Sequence, residues 1–283
     1  MNLARPAQAI RDIAVHVDGS DGDAAKTSHA DMIATMFDAP LIALLMNYLQ
    51  AAPIPPGPGR SWLNAELRKR GVEQGDAAEI RARERLAGLR APSEIRRIDY
   101  AYQELGARIG PPARSVDLVV VGRPHGDGGQ WPEMFEAVIF DAGAPAYVVP
   151  PNAVNAREPE TILIAWKDAA ECSHAIKAAL PFLQRAKQVY LVSVAETSSD
   201  EERHREPADD MARHLARHGV AVEIRHLPQS DDPAAVLLNE ASSLGAELIV
   251  VGAYGRTRLR QMLFGGVTRE LLERSPIALL MAH

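Results

Sequence analysis

Asp117-Leu118-Val119-Val120-Val121-Gly122 returns, in altered form, as Glu247-Leu248-Ile249-Val250-Val251-Gly252. Each copy is an acid, four large apolar residues and a glycine. A second pair follows at nearly the same separation. Ala144-Pro145-Ala146-Tyr147-Val148-Val149 matches Ser275-Pro276-Ile277-Ala278-Leu279-Leu280. The spacing from Gly122 to Gly252 and that from Pro145 to Pro276 differ by one residue. Ile13–Val17 and Ile162–Trp166 form a third pair, placed as the openings of two units. Apolar runs without polar alternation are what strands covered on both faces look like. One unit therefore occurs twice, which fits 283 residues at roughly 150 per domain.

The stretches between these runs read as helices. Cys172, Ala175, Ile176, Ala179 and Leu183 recur at helical spacing and share one buried face. Asp231-Asp232-Pro233 has the aspartate cap and first-turn proline of a helix start. Val236, Leu237, Glu240, Ala241 and Leu244 continue that helix, and Gly245 is placed to end it in a left-handed conformation. Further strands are expected at Val189–Val194 and Val220–His226, with a helix near Asp209–His218 between them. Strand alternating with helix implies a parallel sheet with right-handed crossovers, an α/β fold. The proline-led Pro150–Ala156 segment reads as the link between halves, giving domains at 1–152 and 157–283. Pro53–Gly59 reads as a surface loop leading into a charged helix near Glu66–Leu89, whose interleaved Arg and Glu form a solvated face.

Composition narrows the functional classes. A net charge of -6 argues against a general nucleic-acid binder, which needs clustered excess Lys and Arg. One cysteine makes neither an intrachain disulfide nor a zinc-thiolate site. No apolar run approaches the roughly 20 residues that span a bilayer, and charges at Arg5, Arg11 and Asp12 interrupt any leader-like stretch. A cytoplasmic protein without membrane or nucleic-acid partners is expected. His214 and His218 have metal-pair spacing but no third ligand, and Cys172 falls on the buried stripe, so no metal site is expected.

The chemistry-bearing stretch is Gly252-Ala253-Tyr254-Gly255, nine residues, then Gly265-Gly266-Val267-Thr268. The first glycine ends a strand and permits close approach to its backbone. The last group opens a helix over Val267–Arg274, whose N-terminal N–H groups and dipole suit phosphate. Thr268 adds a hydroxyl donor, and Arg256 is a candidate phosphate contact. Gly252→Val is expected to remove binding while leaving the fold intact. Enzyme signatures are missing: no glycine loop follows Trp166, no P-loop G-x-x-x-x-G-K-[ST] occurs, and no serine sits on a nucleophile elbow. The expectation is a protein that is not an enzyme, slow ATP hydrolysis aside.

The pattern G-x-x-G-x9-G, followed by Gly266, Val267 and Thr268, resembles the nucleotide-binding signature of the universal stress protein family, and Asp18-Gly19-Ser20 resembles that family's opening motif. The resemblance covers nearly the whole chain as two tandem copies. It implies a five-stranded parallel sheet per domain in the order 3-2-1-4-5, with Ala146–Val149 and Ile277–Met281 pairing the domains as a pseudo-dimer. It implies ATP or AMP held in the C-terminal domain by Ala165, Trp166, Lys167, Val194, Gly252, Gly255, Arg256, Gly265, Gly266, Val267 and Thr268, with the backbone of Val194 on the adenine. Three features depart from the family pattern. Gly122-Arg123-Pro124-His125-Gly126-Asp127 lacks the glycine spacing, so the first half reads as degenerate and Asp18 as a turn residue. Lys167 stands where the family has a carboxylate, which bears on magnesium. Gly266 replaces a hydroxyl residue. The resemblance implies a stress-response protein acting through an unidentified protein partner, and a homodimer of the tandem chain. The alternative is a scaffold of the same fold that binds no nucleotide and works through protein contacts.

Overall fold

A computed structural model describes residues 10–51, 58–101, 104–129, 131–151, 153–195, 205–253 and 266–283. The quoted apolar runs are its central strands. In chain order the first half contains β1 (Ile13–Val17), α1 (Asp23–Phe37), β2 (Leu41–Tyr48), α2 (Pro58–Leu86), β3 (Ser93–Tyr100), α3 (Leu105–Arg114), β4 (Leu118–Gly122), α4 (Pro132–Glu136, continued by a π-turn over Ala137–Ala142) and β5 (Ala146–Val149). The second half contains β6 (Thr161–Ala165), α5 (Ala170–Leu183), β7 (Gln188–Val194), α6 (Arg205–Arg217), β8 (Glu223–Leu227), α7 (Pro233–Ser243), β9 (Leu248–Gly252), α8 (Gly266–Arg274) and β10 (Ala278–Ala282).

All ten strands join one sheet, ordered β3-β2-β1-β4-β5-β10-β9-β6-β7-β8. Each half thus has the order 3-2-1-4-5, as the family resemblance implies. Pairing is parallel within each half. It is antiparallel only where the halves meet, with Val148 beside Leu279, Tyr147 beside Leu280 and Ala146 beside Met281. This join removes two open strand edges, which would otherwise template association with other chains.

Because strand side chains alternate, the sheet carries one apolar layer on each face. Ile13, Val15 and Val17 face a layer shared with Ile33 of α1, Ala82 of α2, Phe182 of α5 and Leu215 of α6. Ala14, Val119 and Val121 face the other, with Ile109 of α3, Phe135 of α4, Leu237 of α7 and Leu271 of α8. The first layer runs across the join: Phe182 packs edge-on against Phe37 at 5.2 Å and stacks on Tyr147 at 6.1 Å.

Local signals account for α7. The Asp232 carboxylate accepts the Ala235 N–H at 2.8 Å, Pro233 occupies the first turn, and Gly245 beyond the end has φ +65°. The strand expected at Val220–His226 instead spans Glu223–Leu227. Val220 is consumed in closing α6, its N–H bonding Leu215 O at 3.0 Å past Gly219 at φ +79°. The charged helix begins at Pro58 rather than near Glu66 and ends at Leu86. Proline is tolerated in a first turn, where its missing N–H has no intrahelical partner to lose. The last strand is Ala278–Ala282 rather than Ile277–Met281.

Candidate functional site

In the second half, β6 lies between β7 and β9, so the chain winds away in opposite directions from β6 and β9. The carboxyl end of such a reversal is where open α/β sheets form a crevice. Ala165 ends β6, and Trp166 follows with its N–H bonded to Val192 O at 2.7 Å. Both are buried, Trp166 at 7% exposure, and its indole packs in the apolar layer. Lys167 emerges into solvent. Val194, half-buried at the end of β7, pairs with Leu227.

Gly252 ends β9, but the space beside it is not a ligand seat. A Cβ there would lie 2.7 Å from Cys172 N and 2.8 Å from Glu171 C, so the missing side chain admits the first turn of α5. The expectation that a substitution at Gly252 leaves the fold intact is therefore corrected: helix packing needs the glycine. Gly266 opens α8, and among the described residues a Cβ there would meet only Glu270 Oε1 at 3.8 Å. Val267 packs on the core, and the Thr268 hydroxyl reaches back to donate to Gly252 O at 3.4 Å. Thr268 and Gly252 thus meet at the carboxyl end of β9, beside the end of β6 that Trp166 and Lys167 follow; Gly266 and Val267 lie in the first turn of α8, and Val194 ends β7. Gly255, Arg256 and Gly265 lie outside the described residues.

The His214 and His218 rings are 4.7 Å apart, and among the described residues no three His, Cys, Asp or Glu side chains are grouped to hold a metal. Cys172 is buried with Sγ 3.8 Å from Ala165 O, and burial pushes its thiol pKa up, away from reactivity.

The first half has a built site that sequence reasoning missed. At the carboxyl ends of β1 and β4 lies a cavity of about 240 Å³, lined in part by His16, Lys26, Arg123, Trp131, Met134 and Pro151. Asp18 does form a turn, its Oδ1 accepting the Ser20 N–H at 2.9 Å, but its Oδ2 also accepts the Trp131 Nε1–H at 2.6 Å. Trp131 caps α4 in a left-handed conformation, φ +58°, which is strained for an aromatic residue. Its ring meets His16 edge-on at 5.0 Å. Asp23, wholly buried in the first turn of α1, accepts the Gly19 N–H at 2.7 Å and pairs with Lys26 Nζ at 2.8 Å; Arg85 of α2 lies 3.5 Å away.

These groups set each other's ionisation. Burial, then the Lys26 charge, holds His16 well below its ordinary pKa. Burial raises Asp18, but Lys26 and the Ser20 hydrogen bonds outweigh it and leave the carboxyl below the usual range. Burial, reinforced by the charge of Asp18, raises Asp23 against the pull of Lys26. The signal in the sequence was a histidine inside the otherwise apolar Ile13–Val17 run. Its partners at Lys26, Arg123 and Trp131 come from three other segments.

The universal stress protein family model matches residues 159–283. Among solved structures, a universal stress protein from Archaeoglobus fulgidus DSM 4304 aligns at TM-score 0.71 with 14% identity, covering 96% of this chain and 95% of that one. A functionally unknown protein from Pseudomonas aeruginosa PAO1 aligns at TM-score 0.58 with 18% identity, over 97% of this chain and 92% of its own. A candidate universal stress protein from Pseudomonas aeruginosa UCBPP-PA14 aligns at 0.56 with 18% identity, over 98% and 94%. At these identities the likeness is one of fold. No curated protein matches the sequence. The C-terminal half, with its family-matched sequence and its glycine-opened helix beside β9, belongs to the universal stress protein family, and the chain as a whole is a tandem of two units of that fold.

Proposed function

We propose that the C-terminal half binds ATP or AMP at the ends of β6 and β9, and that nucleotide state governs a cytoplasmic stress-response interaction with a protein partner. The observation that carries this reading is the meeting of Thr268 with Gly252 at the mouth of α8, a helix that starts on an uncrowded glycine. Phosphate there gains the helix-terminal N–H groups and a dipole term of about 0.3–1 kcal/mol. Lys167 supplies a cation at the end of β6, and the backbone at Val194 supplies polar contacts for the base. Gly255, Arg256 and Gly265 belong to the same proposed cradle. Residues with nucleophile or base roles form no part of this reading, which describes a binding protein rather than an enzyme.

Calorimetry of the full chain with ATP and AMP tests it. Stoichiometric binding is expected, weakened at least tenfold by Gly266→Asp, which places a negative charge at the helix start without crowding the described residues. No binding to the unmodified protein would overturn the reading and leave a scaffold that acts through protein contacts. Binding unaffected by Gly266→Asp would place the nucleotide elsewhere.

A further inference from the structure

The N-terminal cavity has a consistent chemical character. Its polar wall is His16 from β1, Lys26 from α1 and Arg123 beyond β4; among the described lining residues there is no acid. The nearby carboxylates are already engaged: Asp18 by Trp131 and Ser20, Asp23 by Lys26 and the Gly19 N–H. The donors are not. His16, 1% exposed, has Nε2 without a hydrogen-bond partner among the described residues, and so does the buried Nε of Arg123. Arg123 is steered by its terminal nitrogen, which donates to Asp127 O, and by its own N–H, bonded to Val149 O at 2.9 Å. Lys26 commits one ammonium proton to Asp23, and an ammonium has three. Gly22 and Ala25 bring the start of the 15-residue α1 to the same wall.

Leaving buried donors unsatisfied costs on the order of 1–3 kcal/mol each, and more where the donor is charged. An acceptor seated among them recovers that cost, and an anion recovers the most. The remaining walls are apolar: Val121, Met134, Val149, Pro150 and Pro151, closed by the Trp131 indole. At about 240 Å³ the space equals about eight waters. That is below the roughly 300–1,000 Å³ of sites for drug-sized ligands, so the enclosed space suits a body smaller than a nucleotide.

We infer that this cavity binds a small organic carboxylate with a short apolar body, its oxygens received by Lys26, Arg123 and His16. This site is distinct from the nucleotide site proposed for the C-terminal half and does not depend on it. Cations are disfavoured by the wall charge. A bare inorganic oxyanion leaves the apolar walls unused.

Calorimetry of the full chain with butyrate, its neutral isostere butyramide and inorganic phosphate tests the inference. Butyrate should bind saturably at one per chain, with butyramide and phosphate each at least tenfold weaker. Arg123→Gln should weaken butyrate at least tenfold while leaving AMP affinity unchanged. Equal affinity for butyrate and butyramide, tighter binding of phosphate, or displacement of butyrate by AMP would each overturn it. Should Arg123→Gln lose its native circular dichroism, the three-ligand comparison on the unmodified protein decides alone. Failure of AMP to bind would remove the C-terminal reading without touching this one.

Discussion

Asp18 and Lys167 occupy equivalent places in the two halves. Ile13 sits beside Leu118 in the sheet and Ile162 beside Leu248, and the same number of residues separates Ile13 from Asp18 as Ile162 from Lys167. One half therefore carries a carboxylate past its first strand, and the other an ammonium. The carboxylate is part-buried and held by the Trp131 indole at 2.6 Å, whereas Lys167 is an exposed residue. The two halves share a frame but have diverged in the chemistry at its open end.

That sign difference bears on metal use. The proposed C-terminal site sets Lys167 toward the phosphates, and on that proposal nucleotide binding is expected without magnesium. Lys167→Asp replaces attraction by repulsion, where a unit-charge pair at about 4 Å is worth about 4 kcal/mol at an effective dielectric near 20. The variant should bind ATP at least tenfold more weakly without magnesium and recover part of the loss with it. Titrations in chelator and in excess magnesium check this; equal affinity in both, at the unmodified value, would refute it.

Trp131→Phe keeps an aromatic ring over His16 but removes the donor to Asp18. A hydrogen bond to a charged group contributes about 1.5–3 kcal/mol, and urea unfolding at neutral pH should show a loss of that order. Asp18 is held below its ordinary pKa, so its contribution is present above about pH 4 and is lost as pH falls toward the folded-state value. The gap between Trp131→Phe and the unmodified protein should narrow in acid.

His16 makes stability sensitive to mild acid. Its folded pKa lies well below 6.5, so beneath that pH the unfolded chain binds a proton that the folded one does not. Stability then falls as pH decreases, with a slope approaching about 1.4 kcal/mol per pH unit. Burial lowers His29 as well, which adds in the same direction. His16→Leu should flatten the dependence measured between about pH 5 and pH 7 by one proton's worth. An unchanged slope would show that His16 is not buried as a neutral ring.

Two glycines should respond to alanine for different reasons. At Gly252 the new methyl meets the backbone of Glu171 and Cys172, and overpacking of this kind costs about 1–3 kcal/mol. At Gly245 the methyl meets nothing within 4 Å, but φ is +65°, and the left-handed conformation costs about 1–2 kcal/mol. Denaturant midpoints should fall in both. Compensation at Cys172, by Cys172→Ala, should do little for Gly252→Ala, because the nearest atoms are backbone.

The amino-acid sequence alone determined the doubled α/β unit, the strands built on Leu118–Gly122 and Leu248–Gly252, and the capping of α7 by Asp232, Pro233 and Gly245. These are local properties: apolar period, a side chain short enough to cap a helix, a residue tolerant of positive φ. The role of Gly252 needed the packed structure, because the atoms that exclude a side chain there come from α5. So did the N-terminal site. His16, Lys26, Arg123 and Trp131 lie on separate segments, and only the closing of helices over the ends of β1 and β4 brings them together. Asp18 read as a turn residue because its contact with Ser20 is two residues away, while its contact with Trp131 spans more than a hundred. Short-range hydrogen bonds are written in spacing; charge, burial and unsatisfied donors arise when distant segments exclude water from one another.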